Sequence, residues 1–254
     1  VNISRSAAAA GKHKNRDDEV EQSEMSDDNS HWSRLKRKLS YGLLTQELLD
    51  RLANLGLVCY PYYIVRELPL RRPEFEASTK GFEARFLDES ELPEISDIPD
   101  RPRDLSRIRK RLDYGSCFGV WVDGELAAYS WYSTRDVPAA VGGHALCSLP
   151  PNTVYLYDAF VRPNFRGRQI AGFMRHRLHD ALRSQGAECC ISISLAFNKS
   201  TRRFKAKLGA EESELRFLLA LKSVGGIDFR IRQNQPFLNT PRFTRLRDFN
   251  EPRL

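Results

Sequence analysis

The stretch Thr153–Ala181 (TVYLYDAFVRPNFRGRQIAGFMRHRLHDA) leaves the fewest choices of fold. Val154 to Val161 is rich in β-branched and aromatic residues and reads as a strand. Pro163 ends the ladder, because proline has no N–H to donate. After the basic turn Asn164-Phe165-Arg166-Gly167-Arg168, residues Ile170, Phe173, Met174, Leu178 and Leu182 fall on one face of a helix. A strand that turns through Arg-Gly-Arg into a helix start presents free backbone N–H groups, a positive dipole end and two guanidinium groups. Such a corner is suited to a phosphate or pyrophosphate.

The segments around it read as an α+β domain beginning at Gly81. Phe82–Phe86 is a first strand, and Asp104–Leu112 a basic helix with Asp104 as N-cap. Cys117–Val122 and Leu126–Tyr132 are strands joined through Asp123-Gly124, a hairpin signal. Residues 134–152 form a loop. Cys189–Phe197 is a strand, Asn198 starts a short helix stopped by Gly209, and Glu214–Leu221 and Ile227–Ile231 are the last strands. The tail, 232–254, is expected to wrap the surface or fray.

The chain before this domain divides in two. Residues 1–30 are polar and nearly free of large apolar side chains, which predicts disorder. Residues 31–79 hold an amphipathic helix, an aromatic strand and a linker. In the helix, Leu35, Leu39, Leu43, Leu44, Leu48, Leu49, Leu52 and Leu55 recur at helical steps behind Arg34, Lys36, Arg37 and Lys38, and Gly42 is a possible break. It either packs on the domain or anchors residues 31–56 to a membrane or partner; packing is the preferred expectation. In Val58–Glu67, Pro61 argues for an edge strand or extended arm.

Net charge is +7, but residues 1–30 carry four Lys/Arg against seven Asp/Glu, so the rest is more basic. A basic body suits an anionic cofactor, a nucleic acid or an acidic membrane. Nucleic acid is not expected, since aromatic interleaving and zinc spacing are both missing. The five cysteines (Cys59, Cys117, Cys147, Cys189, Cys190) have no metal-site spacing and read as reduced, which fits the cytoplasm. His176 and His179 lie opposite the apolar face of their helix and are expected to be solvated rather than a metal pair. No metal site is expected.

The basic turn resembles the cofactor motif of the GNAT superfamily of acetyl-CoA-dependent N-acetyltransferases, an Arg/Gln-x-x-Gly-x-Gly/Ala turn after a central strand. Here it is Arg166-Gly167-Arg168-Gln169-Ile170-Ala171; Arg166 and Ala171 fit, and Gln169 stands where the family usually has Gly. A second motif matches separately: Asn198, followed by Lys207-Leu208-Gly209 at the spacing of the family's later Asn…(Lys)-Leu-Gly-Phe, with Ala210 for Phe. The order of elements over about residues 80–231 agrees. The resemblance implies a mixed, mostly antiparallel central sheet of six to seven strands flanked by helices, with a helical leader in front.

It also implies a chemistry: transfer of an acetyl group from acetyl-CoA to a primary amine, with no metal. Arg166 and Arg168, with the backbone from Gly167 through Gln169 and Ile170 to Ala171, would hold the pyrophosphate. The pantetheine arm would pair with backbone near Phe160 and Val161, provided the central strand splays from its neighbour. Asn198 would bind the arm, cap its helix, or both. Asp158 is the candidate base, or else a structural carboxylate paired with an arginine. Lys205 stands where the family often has a tyrosine, and would donate a proton to the thiolate or stabilise the sulfur. Tyr155 and Tyr157 are expected to point away from Asp158, into the core. Glu211, Glu212 and Glu214 would meet a cationic amine or form a solvated edge. The alternative to an enzyme is a non-catalytic module that holds CoA or a partner.

Overall fold

The structure is a computed structural model that describes residues 43–67, 79, 81–135, 149–234, 240 and 242–246. The expectations for residues 1–42, Gly42 included, for Cys147 and most of the 134–152 loop, and for the last eight residues lie outside the described residues.

In chain order the elements are α1 (Leu43–Asn54), β1 (Leu57–Glu67), β2 (Phe82–Phe86), α2 (Leu92–Ser96), α3 (Leu105–Arg109), β3 (Ser116–Val122), β4 (Glu125–Ser133), β5 (Thr153–Val161), α4 (Ile170–Ser184), β6 (Cys189–Leu195), α5 (Lys199–Lys207), β7 (Glu211–Leu221), β8 (Gly225–Gln233) and β9 (Phe243–Leu246). The strands form one sheet in the order β2-β3-β4-β5-β6-β1-β7-β8-β9. Every pair is antiparallel except β5–β6.

Local chemistry sets many of the boundaries. Asp123 and Gly124 both have positive φ (53° and 83°), the mirror-image turn whose twist suits the β3–β4 hairpin. The Asp104 side chain accepts from the Ser106 N–H at 2.8 Å and starts α3. Gly209, at φ +79°, ends α5.

The sheet is wider than expected, with nine strands against six to seven. One addition is β9, built from the tail and paired with β8. The other is β1, which lies inside the sheet between β6 and β7 rather than at an edge. Pro61 is tolerated there because its carbonyl accepts from Ala196, just beyond the end of β6. Its missing N–H shares that side, so it falls where β6 has already stopped.

Three apolar clusters fill the two faces. α4 lays Ile170, Phe173, Met174, Leu178 and Leu182 on Val154, Leu156 and the inner strands. On the opposite face, α2 and α3 cover Trp121, Tyr129 and Trp131, while Leu49 and Ala53 of α1 pack with Tyr60, Tyr62 and Ile64 of β1. His176 and His179 are buried, not solvated. Because β1 widens the sheet beneath α4, the polar flank of that helix is covered too, and His179 lies 3.4 Å from Glu67 of β1. Cys59, Cys117, Cys189 and Cys190 are free thiols.

Candidate functional site

The corner after β5 is built by backbone conformations that few residues choose. Gly167 (φ +82°) and Gln169 (φ +61°) both lie in the left-handed region, and Gln169 is the N-cap of α4 without a side-chain cap bond. In that conformation a glutamine costs about 1 kcal/mol that a glycine avoids. The first N–H groups of an α-helix have no intrahelical partner, so at α4 they are left pointing outward at the positive end of a fifteen-residue dipole. Residues 166–169 are all exposed. The Arg166 guanidinium donates to the Val161 carbonyl at 3.1 Å and lies 5.7 Å from the Phe160 ring centre. That of Arg168 lies 5.6 Å from the Phe165 ring. The sequence-predicted residues Phe160, Val161, Arg166, Gly167, Arg168, Gln169, Ile170 and Ala171 therefore share one corner.

Beside that corner the sheet opens. β5 and β6 pair from Thr153↔Cys189 to Leu156↔Ser192 and no further, although β5 runs on to Val161 and β6 to Leu195. On its other edge β5 stays bound to β4, through Tyr129↔Phe160 and Ala128↔Val161. Among the described residues no strand pairs with the edge of residues 157–161 that faces β6, where the Val161 carbonyl accepts from Arg166, and a thin ligand with amide groups suits such an edge. Asn198, across the gap at the end of β6, caps α5 by accepting from the Thr201 N–H at 3.1 Å.

A β-bulge lies in the same segment. The β4–β5 register shifts between Tyr129 and Trp131, and Asp158 has φ +44°, uncommon for a residue other than glycine. The bulge cancels the alternation of the strand. Tyr157 and Asp158 consequently share the α2–α3 face instead of pointing apart as expected: Arg111 reaches both, its guanidinium 6.0 Å from the Tyr157 ring and hydrogen-bonded to Asp158. The Asp158 side chain, 3% exposed, also meets Arg101 at 2.7 Å and Arg103 at 3.6 Å. Burial pushes this carboxyl up, but Arg101, Arg111 and Arg103 together hold it below the usual carboxylate range. Of the two expectations for Asp158, this environment is that of the arginine-paired carboxylate. The arginines come from 47 to 57 positions away in the chain, and no motif announces them.

Lys205 lies on the other face of the sheet. Its Nζ donates to Ser192 Oγ at 2.7 Å and to the Ile193 carbonyl at 2.9 Å, with Glu67 at 4.0 Å. Ser192 also donates to Glu67, which meets Arg175 and His179 at 3.4 Å each. Burial brings Lys205 down to about 8 although Glu67 opposes the shift. Glu67 is held well below its ordinary range, Arg175, His179 and Lys205 outweighing burial. Two of the three acidic residues after α5 have basic partners within the fold. Glu212 pairs with Arg202, and Glu214 is buried against Arg216 and Thr240.

No curated protein matches the chain. Among solved structures, a GNAT-family acetyltransferase structure from Novosphingobium aromaticivorans is 24% identical (TM-score 0.43), covering 61% of this chain and 62% of that one. The ribosomal-protein-S18-alanine N-acetyltransferase of Escherichia coli is 16% identical (TM-score 0.41; 50% and 76% covered). The aminoglycoside 6'-N-acetyltransferase of Acinetobacter baumannii is also 16% identical (TM-score 0.40; 51% and 90%). The family model described as acetyltransferase (GNAT) family matches residues 82–210, just over half of the chain and the whole of the corner, the gap and the bulge. The chain belongs to the GNAT family of acetyltransferases.

Proposed function

We propose that the protein transfers the acetyl group of acetyl-CoA to an amine. The observation that carries this is the parting of β5 from β6 directly beside the arginine-flanked start of α4. The residues present fit such a co-substrate: Arg166, Arg168 and the N–H groups from Gly167 to Ala171 would hold the pyrophosphate, and the open edge near Phe160 and Val161 would hold the amides of the arm. Bound acetyl-CoA supplies its acetyl group as a thioester, whose C–S bond breaks as the N–C bond to the amine forms.

The chain's own residues divide the remaining work. Asp158, clamped by three guanidinium groups, is too weak a base to take the amine's proton at neutral pH, so that proton leaves to solvent. The Lys205 ammonium stands behind Ser192 and Ile193, where β6 leaves β5, and its charge favours a thiolate forming at the closed end of the gap. Asn198 fixes the start of α5 on the far side.

Isothermal titration with acetyl-CoA tests the proposal. Saturable binding is expected, and Arg166→Ala with Arg168→Ala should weaken it at least tenfold, since hydrogen bonds between charged groups each contribute about 1.5–3 kcal/mol. No binding by the folded protein would overturn it. The engagement of both Asp158 and Lys205 favours a second reading, binding without turnover. CoA release in a panel of amines separates the two.

A further inference from the structure

The arginines around Asp158 are more than one carboxylate can use. Among the described residues Asp158 is the one carboxylate within ion-pair range of Arg101, Arg103 and Arg111, which leaves two positive charges uncompensated. Their other neighbours are neutral: Arg101 donates to the Tyr129 hydroxyl at 2.9 Å and lies 5.1 Å from the Phe160 ring, and Arg111 lies over Trp131 and Tyr157. Burial, with Arg101 and Arg111 close by, pushes the Arg103 guanidinium down despite Asp158. Partly desolvated charge of one sign is costly unless something pairs with it.

Its place in the fold says when it is paired. Asp158 is two residues past the last β5–β6 pair, inside the gap, so the cluster flanks the place where a thioester would lie. It stands on the α2–α3 face, opposite α4. Phe160 separates it from the phosphate corner, with Arg101 and Arg166 near the same ring. The Arg101 side chain is 27% exposed, and those of Arg103 and Arg111 are 12% and 13% exposed, so the cluster can be reached from solvent. The buried Tyr157 hydroxyl beside it has no hydrogen-bond partner among the described residues. That hydroxyl fits only because Gly115 has no side chain; a Cβ there would stand 2.6 Å from it.

We propose that the acceptor amine carries an anionic group of its own, a carboxylate or a phosphate, which lodges among Arg101, Arg103 and Arg111. Planar guanidinium forks suit either group, and the anion would fix the amine beside the bulge. This rests on the acetyl-transfer reading, and two measurements keep their failures apart. In the first, inorganic phosphate is titrated into the protein already saturated with CoA, which fills the pyrophosphate corner. Phosphate should bind; Arg101→Gln should weaken it at least fivefold, and Arg101→Lys, which keeps the charge but not the fork, should weaken it less than Arg101→Gln. No phosphate binding to the wild type, or equal affinity in folded Arg101→Gln, overturns the inference whether or not the protein is a transferase. If CoA itself does not bind, the transferase reading fails, and the titration is repeated on Arg166→Ala/Arg168→Ala, where the same loss through Arg101 is still required. In the second, CoA release is followed with glycine against glycinamide and phosphoethanolamine against ethanolamine. The anionic member of at least one pair should be preferred tenfold or more in kcat/KM, with Arg101→Gln erasing the preference. A uniform preference for the neutral members overturns the inference while leaving acetyl transfer intact.

Discussion

Two carboxylates on opposite faces of the sheet, Glu67 and Asp158, are each ringed by three basic side chains. Their surroundings differ in access. The partners of Glu67 are sealed, with Arg175 and Lys205 side chains 6% exposed and His179 7%. The partners of Asp158 reach solvent through Arg101. A closed cluster has its charges arranged for good and ties the inserted strand β1 to α4 and α5. An open one can exchange a water molecule for a ligand, and it lies where a reacting amine would arrive. Burial of charge alone does not mark a site; buried charge with a way in does.

The comparison breaks most visibly through stability. Glu67→Gln should destabilise the fold by about 3–5 kcal/mol, because it leaves basic groups buried without a counter-charge. Asp158→Asn should cost less, about 1–3 kcal/mol, since water can reach its arginines. Urea unfolding of both variants orders them, and the reverse order would remove the distinction.

Acid titration sharpens it next. Both carboxyls are depressed in the folded state, so the stability they contribute is complete above their unfolded values and is lost as pH falls through the folded ones. The wild type should therefore lose urea resistance on acidification below about pH 4, the ordinary carboxylate range, and Glu67→Gln should flatten that limb more than Asp158→Asn. Lys205 acts with the opposite sign. Its folded value is about 8, below the unfolded range, so between pH 8 and about 10.4 the unfolded chain binds more protons and stability rises with pH. Lys205→Met should abolish that rise in the urea midpoint. In turnover assays it should lower kcat more than it raises KM if the ammonium favours the thiolate. The smallest effect is expected at the corner: Gln169→Gly relieves a left-handed residue but loosens the unfolded chain, and should change stability by no more than about 1 kcal/mol in thermal melts.

What could be read in advance was whatever a few adjacent residues decide. The strand–proline–basic turn–helix unit, the Asp123-Gly124 hairpin and the caps at Asp104 and Asn198 are local chemistry, and each stands where the chain predicted it. The long-range pairings were not legible. Pro61 spoke for an edge strand, and only the early end of β6 makes an interior place tolerable. The bulge at Asp158 inverted the expected direction of one side chain, and with it the relation to Tyr157. The arginines on α3's flanks, the buried histidines and the Glu67–Lys205 contact all depend on elements that meet from some fifty to well over a hundred positions apart. Spacing carries no record of such meetings.

The position of β1 has a consequence for how the molecule comes together. In synthesis β1 must wait for β6, more than a hundred residues further along the chain, and then for β7, before both of its edges are satisfied. Until then the two wings of the sheet have no common seam. A fragment cut at the limits of the family match, 82–210, would keep β6 but lack that keystone and the three strands β7, β8 and β9 beyond it, so expression should begin upstream of α1 and run past β9.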